Sequence, residues 1–325
     1  MTKKVLILGA NGRFGRATHK AFSDAGWDVT ALVRPGKAKR PNTIEADASD
    51  AKALSTAAQG FDVIVHALNP LYHKWEEMLP KLTAAVITAA RTSGATVLIP
   101  GNVYNYSTNP PEVLSAETPQ TATNGKGALR VEMERSFRDA PNVRTIVLRG
   151  GDFIEVEKTG NWFDGQITNK VDKGVITYPG LTDQTHAWAY LPDMARAAVE
   201  LCEIRETLPR FADIPFAGFT LTGAQLIDAV ETATDKKLKV KAVPWRIMSA
   251  IGIFSPLIRE VIAMRYLWNK PHRLDGTALK ALLPDFKPSP ILSIVSDTVQ
   301  SFAHILFSQT IVFTDLTTFT LTYYH

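Results

Sequence analysis

The chain has 325 residues, 45% of them hydrophobic and 21% charged, which is ordinary for a soluble globular protein and is length enough for one large domain or two modest ones. The formal net charge of +4 is spread out except for Arg34, Lys37, Lys39 and Arg40, too short a stripe for a nucleic-acid groove and better suited to a small anionic ligand. The single cysteine, Cys202, excludes an internal disulfide, no cysteine cluster has metal spacing, and no run reaches the ~18 apolar residues of a membrane span, so a cytoplasmic protein with no metal, membrane or nucleic-acid partner is expected.

Residues 5–8, Val-Leu-Ile-Leu, form a continuous apolar run, as in a strand buried on both faces. The run is too short to make a signal peptide of the Lys3-Lys4 start. Phe14, Ala17, Ala21 and Ala25 then recur at helical spacing over 13–25, and Gly26 stands where a C-cap belongs. Strands are predicted at 29–33, 44–46, 63–65, 97–99 and 145–148, and helices at 50–58, 75–93 and 127–140, with Gly94 as a stop. Strand and helix alternate throughout, which predicts an α/β fold: a doubly wound parallel Rossmann sheet covered by helices.

Beyond Arg149 the rhythm changes. A helix is expected over 161–173, a strand and turn at 174–179, a strand at 186–191 and a helix from Pro192 to 204. Strand, helix and strand follow at 216–221, 222–234 and 239–243, then a helix-rich stretch from 244 to 268. The expected division is a Rossmann domain of 1–155 and 186–204, and a smaller substrate-capping lobe of 156–185 and 205–300. The Thr-, Phe- and Tyr-rich tail, 301–325, has high strand propensity and no evident partner.

The strongest chemical signal is Gly9-Ala10-Asn11-Gly12-Arg13-Phe14-Gly15, a G-x-x-G-x-x-G loop between a buried strand and a helix. Gly9 permits the tight turn, Gly12 lets the backbone approach a pyrophosphate, and Gly15 lets helix and strand pack closely. The pyrophosphate of a dinucleotide then meets the N–H groups and dipole at the helix N-terminus. About 20 residues past this loop, an NAD site usually carries Asp or Glu for the ribose 2′-hydroxyl. Here Arg34 and Lys37 stand instead, and a guanidinium grips a 2′-phosphate that a carboxylate would repel. NADP(H) is therefore the preferred cofactor, with NAD(H) possible. Asp47 and Ala48 follow the third strand, where adenine would lie, and Ala67, Leu68 and Asn69 follow the fourth, near the nicotinamide ribose.

With Val103-Tyr104 after the fifth strand and His186-Ala-Trp-Ala-Tyr-Leu-Pro-Asp193 in the second half, the chain resembles atypical or extended short-chain dehydrogenase/reductases over roughly residues 3–295, nearest the bacterial NAD-dependent epimerase/dehydratase family. That family places Ser or Thr near the end of strand five and Tyr-x-x-x-Lys on the next helix. Here Pro100, Gly101 and Asn102 occupy the first place, and Lys126 and Arg130 the second, with Glu134 a turn on. Isoflavone-reductase-like relatives carry a similar Lys-x-x-x-Arg pattern. By that resemblance Lys126 is the acid/base, its pKa depressed by Arg130 and burial, Arg130 orients the substrate or Glu134, and Asn102 donates to a carbonyl oxygen. The same three residues also suit an ordinary solvated helix with i,i+4 ion pairs. Tyr72, Trp75, Tyr104, Asp152 and Phe153 are substrate candidates by their place at strand ends, and Trp162 and His186 by resemblance. The resemblance implies an oxidoreductase acting on a carbonyl or alcohol of a small molecule, and many members form dimers. An epimerase or dehydratase of a sugar-like substrate and a non-catalytic NADP(H) sensor stay open.

Overall fold

The structure is a computed structural model that describes residues 2–38, 40–123 and 125–299; Lys39 and the tail at 301–325 lie outside the described residues. The first half alternates strand and helix: β1 (Lys4–Leu8), α1 (Arg13–Asp24), β2 (Asp28–Val33), β3 (Thr43–Glu45), α2 (Ala51–Ala57), β4 (Val63–His66), α3 (Trp75–Ser93), β5 (Thr96–Gly101), β6 (Val113–Leu114), α4 (Gly125–Asp139) and β7 (Thr145–Arg149). The second half holds β8 (Asp152–Ile154), β9 (Val175–Tyr178), β10 (Thr185–Tyr190), α5 (Leu191–Glu203), β11 (Phe211–Pro215), β12 (Phe219–Thr222), α6 (Gly223–Thr234), β13 (Lys239–Ala242), α7 (Trp245–Gly252), α8 (Pro256–Ala263), β14 (Arg273–Leu274) and α9 (Thr277–Leu282).

Seven parallel strands form the central sheet in the order β11-β7-β5-β4-β1-β2-β3. The order reverses between β1 and β4, so the carboxyl ends of these two strands flank the crevice where open α/β sheets bind ligands. One face of the sheet packs against α1 and α5 through Phe14, Phe22, Met194 and Leu201, and the other against α2, α3 and α4 through Leu54, Leu79, Val86 and Phe137. The apolar runs of β1, β4, β5 and β7 are buried for this reason: each has a helix layer above and below.

A smaller lobe has its own core, in which Phe163, Trp188, Leu226, Val230, Trp245 and Trp268 meet. Its helix α6 starts at a capping box, with the Thr222 side chain and Gln225 closing the first turn reciprocally. The predicted helix over 161–173 is instead a π-helical turn at Trp162–Ile167 and a 3-10 turn at Val171–Lys173. Both the backbone N–H and the hydroxyl of Thr168 bond the Phe163 carbonyl, and this pulls the turn wide. The strand expected at 216–221 begins only at Phe219. Gly218 stands just before it at φ +53°, packed where an added Cβ would meet the Trp188 carbonyl at 2.0 Å.

Residues 211–215, placed in the lobe on sequence, are the edge strand β11 of the central sheet, paired with β7. Asp213 and Pro215 break its apolar pattern. Pro215 is tolerated because the strand lies at the sheet edge, and Asp213 because it meets a buried arginine, Arg149.

Candidate active site

The glycine loop has the predicted form. Gly9 sits at φ +78°, and a Cβ there would lie 3.0 Å from the Ala67 carbonyl oxygen. A Cβ on Gly15 would come within 2.2 Å of the Gly9 carbonyl oxygen, so α1 packs directly on the loop. Gly12 is the N-cap of α1; no side chain caps this end and no acidic residue sits in its first turn. Uncapped N–H groups at the positive end of a helix, beside β1 and the Ala67-Leu68 backbone, fit a dinucleotide pyrophosphate. Asn11 is held by Arg16, whose Nη1 donates to its carbonyl at 2.8 Å. Phe14 is core, and Arg13 turns toward the lobe segment, donating to Thr159 Oγ1 at 2.8 Å and to its carbonyl at 2.6 Å, with Glu155 at 3.5 Å.

The ribose end is open. Arg34 and Lys37 are exposed, and Arg34 makes no ion pair among the described residues. Asp47 is exposed, and its Oδ1 accepts from the Ser49 N–H at 2.9 Å and hydroxyl at 2.8 Å; these bonds, aided by Arg34, hold its carboxyl below the usual range. Ala48 is buried beside it.

Helix α4 carries Lys126, Arg130 and Glu134 on one face, as spacing predicts. They are not a solvated face, since their exposures are 5%, 8% and 1%. Nor do they pair with one another; each meets a different partner. Lys126 Nζ donates to Glu260 of α8, an ion pair between the two lobes, and lies 5.0 Å from the Tyr72 ring centre and 5.9 Å from that of Trp75. Arg130 lies 4.6 Å over Trp75 and bonds Asn69 Oδ1 at 3.3 Å rather than Glu134, and burial depresses its pKa. Glu134 belongs to Arg149, whose guanidinium contacts its carboxylate at 3.1 and 2.6 Å.

Around these cations stand the phenols of Tyr72 and Tyr104, 3.3 Å apart. Burial raises both pKa values, so both are neutral donors at physiological pH. Asn102 Oδ1 accepts from the Tyr104 N–H at 2.9 Å, which leaves its amide group to donate. Asp152, at the start of β8, accepts from His186 Nε2 at 2.8 Å, and His186 stacks on Trp268 with centroids 4.1 Å apart.

Three substrate candidates are displaced. Trp75 is 1% exposed, its Nε1 bound to the Pro70 carbonyl at 2.8 Å, so it is the floor under Lys126 and Arg130. Phe153 packs on the sheet core. Trp162 sits among Trp245 and Trp268 in the lobe and reaches the site only through Trp268. Nothing in the sequence marks Glu260, 134 residues away in a helix-rich segment, as a partner of Lys126. Arg149 likewise carries no local signal beyond marking where the rhythm of elements changes.

Sheet order and glycine loop define a Rossmann-type α/β protein with a smaller C-terminal lobe. The chain belongs to the NmrA-like family, whose model matches residues 1–306. No curated protein matches the sequence at a significant level. Among solved structures, the chain is similar to L-threonine 3-dehydrogenase from Trypanosoma brucei (TM-score 0.74, 16% identity, covering 94% of this chain and 98% of that one). It is also similar to a UDP-glucose-4-epimerase from Stenotrophomonas maltophila solved with bound NAD and formylated UDP-arabinopyranose (TM-score 0.74, 13% identity, 94% and 99% covered). UDP-N-acetylglucosamine 4-epimerase from Bacillus cereus aligns with TM-score 0.73 and 12% identity over 92% of this chain and 99% of that one. At such identities the likeness concerns the fold.

Proposed function

We propose that the protein is an NADP(H)-dependent oxidoreductase acting on a carbonyl or alcohol of a small-molecule substrate, with Lys126 as its proton donor and acceptor. The observation that carries this reading is the buried Lys126 at the carboxyl edge of the sheet, over the ring of Tyr72, whose hydroxyl meets that of Tyr104. Gly9, Gly12 and Gly15 with the first turn of α1 would hold the pyrophosphate, and Arg34 and Lys37 the 2′-phosphate. A nicotinamide dinucleotide held there would supply hydride chemistry at the substrate carbon. Lys126 gives a proton to the carbonyl oxygen, and in the reverse direction its neutral amine takes the proton back. The Asn102 amide and the Tyr72 and Tyr104 hydroxyls are donors that stabilise charge on that oxygen. Arg130 holds Asn69 at the edge of β4 rather than touching the reacting atoms.

Family epimerases and dehydratases rely on a Tyr-x-x-x-Lys pair that this helix lacks, which favours the redox reading over that one. A carbonyl panel followed by NADPH absorbance tests it. Lys126→Ala is expected to lower turnover by about a hundredfold or more. Unchanged turnover in that variant would remove Lys126 from the chemistry, and tight NADPH binding with no turnover on any substrate would point to a sensor instead.

A further inference from the structure

Lys126 is surrounded by features that oppose its charge. It is 5% exposed, and Arg130, one turn along the same helix, is buried as well. Three elements face it from outside α4. The segment at residues 72–75 presents the Tyr72 and Trp75 rings, whose π faces attract the cation only modestly. The turn after β5 presents the neutral phenol of Tyr104 behind Tyr72. Helix α8 presents Glu260, and among the described residues it is the only carboxylate paired with Lys126.

Glu260 is placed by the lobe. Ser255 caps α8 by accepting from the Ile258 N–H at 3.4 Å, Pro256 starts the helix, and Val261 and Ile262 pack against the lobe core. The core-facing neighbours turn Glu260 the other way, toward the sheet.

We propose that Glu260 is a positioning residue that holds Lys126 as an ammonium, so that the proton donor is armed by the lobe lying against the sheet edge. This rests on the reading of Lys126 as the proton donor. Of the three N–H groups on the ammonium, Glu260 takes one and fixes the direction of the rest. Without that carboxylate, the ammonium beside Arg130 has no counter-ion among the described residues. Carbonyl reduction then depends on the Glu260 contact, whereas alcohol oxidation, which needs the neutral amine, does not.

The test is the pH at which amine labelling of Lys126 reaches half its plateau, read by mass spectrometry on the full chain without cofactor, with exposed Lys280 as internal control. Using the half-plateau pH rather than the rate removes differences in accessibility. In Glu260→Gln, isosteric at a position 33% exposed, this pH is expected to fall by about one unit or more. Glu260→Asp, which keeps the carboxylate, is expected to stay near wild type, and Lys280 to be unmoved. The alkaline limb of the reduction rate against pH should move down in Glu260→Gln in parallel. An unchanged half-plateau pH for Lys126 in Glu260→Gln overturns the proposal. Turnover surviving in Lys126→Ala would overturn the proton-donor reading instead, and the labelling result would stand apart from it.

Discussion

Helix α4 carries two clusters of buried charge, and they are built differently. At Glu134 the cluster is closed within the Rossmann domain. Arg149, 0% exposed, bonds Glu134 through both terminal nitrogens, Asp213 through Nε at 3.2 Å and Nη2 at 2.7 Å, and the Asn102 carbonyl at 2.7 Å. Gln120 completes it with bonds to both carboxylates at 3.0 and 3.2 Å. At Lys126 and Arg130, two turns away, the cluster is incomplete. The Nε of Arg130 has no partner, its bond to Asn69 is long, and the counter-ion of Lys126 arrives from another lobe. A buried network with every group matched serves to hold strands together; one left open at the ligand edge of a sheet retains the capacity to act on something else.

The sharpest way to break this comparison is to open the closed cluster. Glu134→Ala leaves Arg149 buried with half its charge partners gone, and the urea-unfolding free energy should fall by about 3–5 kcal/mol. A loss near the level of an exposed pair, below about 1 kcal/mol, would mean the knot does not bind β7 and β11 to α4. Lys126→Met should give the opposite profile: reduction turnover down by about a hundredfold or more, with stability changed by less than about 1 kcal/mol because the released Glu260 is partly exposed and hydrates.

Acid should weaken the fold through two histidines that neither cluster employs. Burial holds His66 at about 3 and His272 at about 4, below the ordinary value of 6.5. The unfolded chain therefore binds more protons once pH drops below 6.5, and the stability of the neutral folded rings is lost as pH falls toward those depressed values. Between pH 7 and 5 each should cost about 2 kcal/mol, and His272→Gln should remove about half of that slope in urea titrations at several pH values. The smallest effect concerns the cofactor edge. Arg34→Ala should raise the NADPH Kd by about tenfold in a tryptophan-fluorescence titration while leaving that for NADH in place. Tighter NADH than NADPH binding by the parent protein would overturn the 2′-phosphate role.

The parts legible in the sequence are those where local pattern and tertiary environment agree. The helix read at 75–93 is Trp75–Ser93 with Gly94 at φ +77°. The helix read at 50–58 is Ala51–Ala57 capped by Asp50. Strand β11 was not legible, since its meaning depends on Arg149: Asp213 reads as a loop residue until a buried guanidinium is placed against it. The candidate site divides the same way. Tyr72, Tyr104 and Asp152 could be nominated because strand ends follow from periodicity, and Asn102, Lys126, Arg130 and His186 because they stand at positions the family resemblance marks. Their partners could not.

What the sequence by itself determined is the alternation of elements, the glycine loop whose spacing is imposed by φ and by Gly15 lying on Gly9, and the shared face of Lys126, Arg130 and Glu134, because each depends on interactions within a few residues. Only the tertiary structure decided that this face is buried, that Glu134 serves Arg149 while Lys126 meets Glu260, and that Trp75 is a floor rather than a contact. Burial and charge pairing are set by whichever segments the fold brings together, and those segments are distant in the chain.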